Sequence, residues 1–420
     1  IFNSIVLRNL ISDKSEIPGI INSISIGISF IFALIVLFNV GDFSSSISFT
    51  WISLNNVDIT FSFLVDPLTA IMLVVVSGVS FLVQIYSIGY MHGDKSFCRY
   101  FSYMALFTGS MLGLVMSRNI LQLFIFWELV GVSSYLLIGF WHERKSAAAA
   151  AKKAFIMTRL GDFGFLFSII YLFNVNSDFL EIPVLYNAIL NNEISTNVAT
   201  ILSLGFLVGA IGKSAQFPLH NWLPDAMEGP TSVSALIHSA TMVTAGVFLI
   251  ARLFPLFQNS DIMMLVAIIG ASTSFIAATM ALTTTDIKRV LAYSTISQLG
   301  YMFMALGLGA YTAAVFHLFT HAFFKAGLFL SAGSVHHAAG TFNMKYMGGL
   351  KSKMKYTYYS MTICALSLSG LFPLSGFWSK DEIVLSGYLH GGYIGYICMI
   401  IGLLVAFLTS FYMFRAISLT

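Results

Sequence analysis

Long apolar runs, each ended by a short polar stretch, follow one another along nearly the whole chain. About twelve of them reach the roughly 20 residues that a helix needs to cross a bilayer. They cover residues 18–40, 64–90, 100–117, 119–141, 153–174, 198–225, 231–254, 261–283, 287–309, 312–335, 356–388 and 391–416. The sixth and eleventh are too long for a single span and are interrupted from within. The sixth carries Pro218 and Pro224; the eleventh carries Gly370, Pro373 and Gly376. Proline removes a backbone donor and clashes with the preceding turn, so both runs predict a broken helix. The expected fold is an all-α polytopic membrane protein.

Composition sharpens the class. Charged residues make up 9% of the chain and hydrophobic ones 57%, whereas a soluble domain carries about 25% charged residues. A formal net charge of +3 says less than where the charges lie. The loops after segments two, four and eight hold Lys95, Arg99, Arg144, Lys145, Lys152, Lys288 and Arg289, and the loop after segment ten holds Lys345, Lys351, Lys353 and Lys355. If every segment spans, these fall on one side. The other side shows Asp42, Asp58, Asp178, Glu181, Glu193 and Asp261, with Arg118 as the exception. That asymmetry predicts a basic side facing the cytoplasm of a bacterium, in its inner membrane, or the matrix of a mitochondrion. The bilayer is the expected partner, and nucleic acid is not. Cys98, Cys364 and Cys398 have no C-x-x-C spacing, which predicts neither a metal or iron–sulfur ligand set nor a disulfide framework. The chain begins at Ile1 rather than methionine and stops at Thr420 directly after an apolar run; a fragment without a cleavable signal peptide is expected.

The segments also suggest internal symmetry. After N-terminal helices in 1–99, five segments in 100–254 and five in 261–416 each place their broken helix fourth. Five is odd, so the two sets would have opposite orientation. Inverted repeats with paired broken helices are a signature of transporters, with sites near the midplane.

Ionisable residues inside apolar segments are the candidate chemistry, because each costs about 2.5–3.5 kcal/mol at the bilayer centre on insertion scales. Glu128 lies mid-segment in Phe-Trp-Glu-Leu-Val-Gly. Lys213 precedes the break at Pro218, His238 lies in segment seven, and Lys380 and Asp381 follow the break at Pro373. His317, His321 and Lys325 recur every four residues, on one helix face. Burial disfavours the charged form of lysine and a nearby carboxylate restores it, so a lysine with a movable carboxylate can take and release a proton; histidines can relay between such lysines. Structural alternatives exist: Glu128 as an interhelical acceptor, Lys213 snorkelling to an interface, His238 as a satisfied core histidine. Lys152 and Lys153 read as topology determinants and His336-His337 as loop. Gly212-Lys213-Ser214 is no phosphate loop, since Leu207 stands where the first glycine is needed.

The stretches Trp127–Ile138, Gly212–Gly246, Asp286–Met302, His317–Val335 and Ser375–Ile383 resemble the antiporter-like subunit (subunit L, or chain 5) of proton-pumping NADH:quinone oxidoreductase, respiratory complex I. Its relatives include Mrp-type sodium/proton antiporter subunits. The resemblance covers nearly the whole chain from about residue 60. It implies a proton-translocating subunit of an oxidoreductase, coupling electron transfer from NADH to quinone to pumping. It implies no redox centre in this chain, with NADH, FMN, iron–sulfur clusters and quinone bound by other subunits. The implied partners are the other membrane-arm subunits, above all the neighbouring antiporter-like one. By resemblance Glu128 and Lys213 form a glutamate–lysine pair, and Lys325 is the central lysine. His238, His317 and His321 would link two half-channels, with Lys380 and Asp381 on the exit side. Asp162 and Lys288 would be structural or coupling residues, as would Pro218 and Pro373 at the breaks. The alternative is a secondary cation/proton antiporter of the Mrp type, which needs no NADH. Three departures from the family pattern stand out. Leu129 replaces glycine and is expected to crowd Glu128. Ser232 replaces proline and is expected to loosen the start of segment seven. Gly327 replaces a large apolar residue.

Overall fold

The structure, a computed structural model, describes residues 16–40, 45–54 and 57–420; Asp42 lies outside the described residues. Helix α1 (Ile17–Asn39) is followed by an antiparallel hairpin, β1 (Ser45–Leu54) and β2 (Val57–Val65), in which Phe49 pairs with Phe61. Then come α2 (Pro67–Tyr90), α3 (Phe97–Met116), α4 (Ile120–Ile138) and α5 (Lys145–Val175). The short α6 (Ile182–Leu190) leads to α7 (Thr196–Lys213) and the four-residue α8 (Trp222–Asp225). Next are α9 (Thr231–Ser239), α10 (Ala245–Arg252), α11 (Phe254–Gln258), α12 (Met263–Thr283), α13 (Ile287–Gly307) and α14 (Tyr311–Ala339). The chain closes with α15 (Lys355–Ser369), α16 (Ser375–His390) and α17 (Gly392–Leu419). Among the described residues, nine stretches are helical, long and apolar enough to cross a membrane. The other three expected segments, α3, α13 and the α15/α16 pair, are helical as well.

Helix starts follow local chemistry. Asp66, Asn119, Ser195 and Asp286 each accept a hydrogen bond from a backbone N–H of the first turn, which satisfies a donor that the helix leaves orphaned. α14 ends at Gly340 with φ 69°, a left-handed conformation that glycine adopts without a Cβ clash.

Both proline breaks occur where the sequence places them. α7 stops at Lys213, and Ala215 follows with φ 48°. α15 stops before Gly370, at φ 82°, and α16 begins after Pro373. The Phe217–Pro218 and Phe372–Pro373 bonds are cis.

Three expectations are corrected here. Segment seven is not one helix: it breaks at Ala240–Thr241, between α9 and α10. No proline or glycine marks that break. Hydroxyls bond to carbonyls around it instead: Ser239 Oγ to Ala235 O at 2.5 Å, Thr241 Oγ1 to Leu236 O at 2.7 Å and Thr244 Oγ1 to Thr241 O at 2.8 Å. The residues around this break are all buried in protein, the condition under which irregular backbone is tolerated at membrane depth. Segment five starts eight residues earlier than expected, so Lys152 and Lys153 lie two turns inside α5, and Lys153 pairs with Asp225 at 2.6 Å. His336 and His337 are in the last turn of α14, not in a loop.

Two helix pairs are held at backbone distance by glycines, as small residues permit in membranes. Between α12 and α13, a Cβ on Gly270 would lie 2.3 Å from Met304 N and one on Gly307 2.2 Å from Ala267 N. Between α5 and α7, a Cβ on Gly161 would lie 2.9 Å from Val208 O, and one on Gly212 3.1 Å from Gly161 Cα.

Candidate functional site

The contact between Gly161 and Gly212 builds the centre of the first half. Each glycine is followed by an ionisable residue, so the close approach sets Asp162 of α5 beside Lys213 at the end of α7. Lys213 Nζ is 3.4 Å from Asp162 Oδ2, with the two side chains 1% and 2% exposed. The other carboxylate oxygen accepts from Trp127 Nε1 at 2.6 Å, and the Trp127 ring also lies 5.7 Å from the ammonium. Gly131, one turn on from Trp127, leaves room for the lysine, since a Cβ there would stand 2.7 Å from Nζ. The Lys213 end of α7 is pinned by Trp222 Nε1, which donates to Gly212 O at 3.1 Å. Ser214 Oγ donates to Val243 O at 2.7 Å, which ties the proline break to the second break in segment seven.

Glu128 of α4 lies beside this pair, close enough to interact with both Asp162 and Lys213. Its carboxylate pairs with Arg159 of α5, and the Arg159 guanidinium lies 4.7 Å from the Phe155 ring. Lys213 of α7 takes Asp162 of α5 as its direct partner, with Glu128 of α4 in a second ion pair about one turn away on α5. Arg159 escaped the sequence reading, although Arg159-Leu-Gly-Asp162 places opposite charges three apart in an apolar segment. Leu129 does not crowd Glu128; its side chain is exposed on the outer face of α4. Ser232 does not loosen segment seven: Tyr100 Oη and Ser232 Oγ share a 2.7 Å hydrogen bond. Gly327 has a packing reason, because a Cβ there would meet Cys364 Sγ at 2.5 Å.

The second half centres on α14. His317, His321 and Lys325 are fully buried on its one face. His317 bonds Gln298 Oε1 through Nε2 at 3.2 Å and Ser379 Oγ through Nδ1 at 2.9 Å. Ser379 precedes Lys380, whose Nζ donates to Leu368 O at 2.6 Å, a carbonyl left open by the broken end of α15. Lys325 Nζ donates to Ser294 Oγ at 2.6 Å, and Ser294 also accepts from Tyr412 Oη at 2.8 Å. His238 is buried in α9 and stacks on Phe329 of α14, with centroids 5.2 Å apart. Lys288 is held by Met227 O at 2.6 Å and Gly229 O at 2.8 Å, against the Phe342 ring. These lysines rest on carbonyls and hydroxyls where Lys213 has a carboxylate. Asp381 does not join Lys380; its side chain is exposed on α16. Among the described residues, no three His, Cys, Asp or Glu side chains are placed to hold a metal ion.

Two buried lysine-bearing helix breaks, with a histidine face between them, invite comparison with known proteins. Residues 117–414 match the family described as NADH:quinone oxidoreductase/Mrp antiporter, TM. The chain belongs to this family. It is a multi-pass membrane protein. Residues 51–101 match a second family, NADH-ubiquinone oxidoreductase (complex I), chain 5 N-terminus. The chain is 50% identical over 385 residues to a protein of Physcomitrium patens named NAD(P)H-quinone oxidoreductase subunit 5, chloroplastic, covering 88% of this chain and 53% of that protein. A Paulinella chromatophora protein, NAD(P)H-quinone oxidoreductase subunit 5, organellar chromatophore 1, is 49% identical over 416 residues, covering 94% and 61%. The chain thus spans between about half and two thirds of these relatives' length. Among solved structures, a chain of the Mrp complex from Dietzia sp. DQ12-45-1b superposes with a TM-score of 0.84 at 30% identity, over 94% of this chain and 43% of that one.

Proposed function

We propose that the chain is a proton-translocating, antiporter-like subunit of an NAD(P)H:quinone oxidoreductase of the complex I type. Electron transfer from the nicotinamide to quinone, on flavin and iron–sulfur centres held by other subunits, would drive it. The observation that carries this reading is the buried Lys213–Asp162 pair at the broken end of α7. A lysine and carboxylate out of water at a helix break can exchange a proton when their separation changes, because the charged form of each depends on the other. Glu128 with Arg159, Lys213 with Asp162, His238, His321, His317, Lys325 and Lys380 then form the relay, with Asp381 at its surface end and Lys288 at the mouth of the central helices. Pro218 and Pro373 interrupt the helices beside Lys213 and Lys380, and Lys380 rests on Leu368 O, a carbonyl that the second break leaves open. Residues 100–254 and 261–416 act as two repeats of opposite orientation, each contributing one broken helix. Moving one charge against 100 mV costs about 2.3 kcal/mol, so the redox reaction must supply at least that per proton.

The partners in this reading are the other membrane subunits, foremost a neighbouring antiporter-like one. The membrane is the bacterial inner membrane or an organellar membrane such as the relatives' names give. The likeness to a chain of an Mrp complex favours a second reading, cation/proton exchange without nicotinamide. One preparation separates the two. The native complex is purified in mild detergent, assayed for flavin and iron–sulfur absorbance and for NAD(P)H:quinone activity, and placed in vesicles. Lys213→Ala should abolish acidification while the complex still assembles. Intact pumping in Lys213→Ala sinks the proposal, and cation-dependent pH changes without redox cofactors replace it with exchange.

A further inference from the structure

On the basic side, the ends of α3, α4 and α5 enclose a cavity of about 330 Å³, within the range of about 300–1,000 Å³ usual for ligand sites. Its polar lining is Arg99, Tyr103, Tyr135 and His142; its apolar floor includes Leu136 and Ala148, and no carboxylate lines it. Arg99 is unlike Arg118, Arg159 and Arg252, each of which pairs with a carboxylate. Its guanidinium lies 5.2 Å from the Phe140 ring, Nη2 reaches Phe140 O at 3.4 Å, and Nε is buried with no hydrogen-bond partner. A buried donor on a permanent cation is costly to leave unmade, and a guanidinium fork matches phosphate oxygens two at a time. Two phenols and an imidazole beside it add further donors. The donors at its head suit a phosphate-bearing anion, and the rest of its lining is apolar.

The surface below the cavity bears on the source of such an anion. Leu136 continues one α4 face through Val132 and Leu129, at spacings of four and three residues, and those two side chains are 38% and 36% exposed. An anion-binding head with an apolar stripe descending from it is the shape of an amphiphile. We propose that the cavity binds the phosphate headgroup of an anionic membrane phospholipid, with an acyl chain along Leu129, Val132 and Leu136. The basic side is where such lipids are drawn by juxtamembrane lysines and arginines. The position adds a consequence: the same α4/α5 groove carries the Glu128–Arg159 pair deeper in, so a bound chain would lie over that pair and exclude water from its outer edge.

The test uses the complete protein in its native complex, purified in mild detergent and washed, with retained phospholipid identified by mass spectrometry and counted by phosphorus. Wild type should keep a tightly held anionic phospholipid that Arg99→Gln loses. Ala148→Leu, which narrows the cavity and leaves the arginine in place, should lose it too and decides the matter alone if Arg99→Gln fails to assemble. Excess inorganic phosphate should not displace the lipid. Equal retention by wild type and Ala148→Leu overturns the proposal. So does binding of labelled inorganic phosphate in place of lipid, or protection of Arg99 by an acidic segment of a neighbouring subunit with phospholipid unchanged.

Discussion

Lys213 has a carboxylate at 3.4 Å and a second one, Glu128, that pairs with Arg159 and acts on the lysine at longer range. The two acids therefore differ in what their loss does. Removing one partner of a buried pair costs about 3–5 kcal/mol, because it strands the other charge. Asp162→Asn is expected to cut proton transport in vesicles by more than tenfold, whereas Glu128→Gln should cut it less, since Lys213 keeps its partner. Equal effects would mean that the two acids act as one unit. Gly131→Ala tests the same pair from the other side: the added Cβ meets Nζ at 2.7 Å and pushes the lysine aside. It should lower transport with little change in assembly, as read by the yield of the purified complex. Glu128 and Lys213 were legible as charges in apolar runs, and Asp162 through the family resemblance. Their pairing was not, because it depends on where α5 and α7 touch, and that contact is set by glycines far apart in sequence.

At the scale of elements, the helix breaks divide by mechanism. Those at Pro218 and Pro373 are written in the chain, since proline cannot continue the hydrogen-bond ladder. The break at Ala240–Thr241 is held by hydroxyls that take up carbonyls. Serine and threonine do the same inside unbroken helices, so no local signal marks it. Thr241→Val removes the 2.7 Å bond to Leu236 O and should lower stability by about 1 kcal/mol, measured as a lower unfolding temperature of the detergent-solubilised complex; an unchanged temperature would mean that packing alone holds the break. The hairpin β1/β2 has a local signal: Ser-Phe-Thr-Trp before Asn55-Asn56 and Thr-Phe-Ser-Phe after it alternate polar and apolar with the period of a strand. The start of segment five moved because the apolar run and the helix are different things; α5 begins in a Lys-Ser-Ala-rich stretch that is helical without being apolar.

For the whole molecule, one tie joins elements distant in the chain. Arg252, at the end of α10, pairs with Asp66 at the start of α2, donates to Thr69 Oγ1 at 2.6 Å, and accepts on its carbonyl from Tyr186 of α6. Burial alone would raise the Asp66 carboxyl, but the Arg252 charge and the hydrogen bonds from Arg252 and Thr69 outweigh it and hold the group below its ordinary 3.8. A depressed carboxylate stabilises the folded state above its ordinary value and loses that contribution as pH falls through the folded one. Asp66→Asn should therefore lower the unfolding temperature at neutral pH, with the difference from wild type vanishing only in strong acid; a gap that closes already in mild acid would contradict the assignment. The glycine contacts between α12 and α13 bear on motion. Backbones in contact at Gly270 and Gly307 leave no room for one helix to turn against the other, so Ser294, Gln298 and Tyr301 ride on a rigid beam. Amide hydrogen exchange should be slowest there and faster in the α9/α10 region if the latter is the moving part. Such a beam works as a ruler: Lys325 and His317 on α14 gain or lose their partners by their own displacement along fixed marks, so a step of one helix is enough to rewrite which groups are bonded.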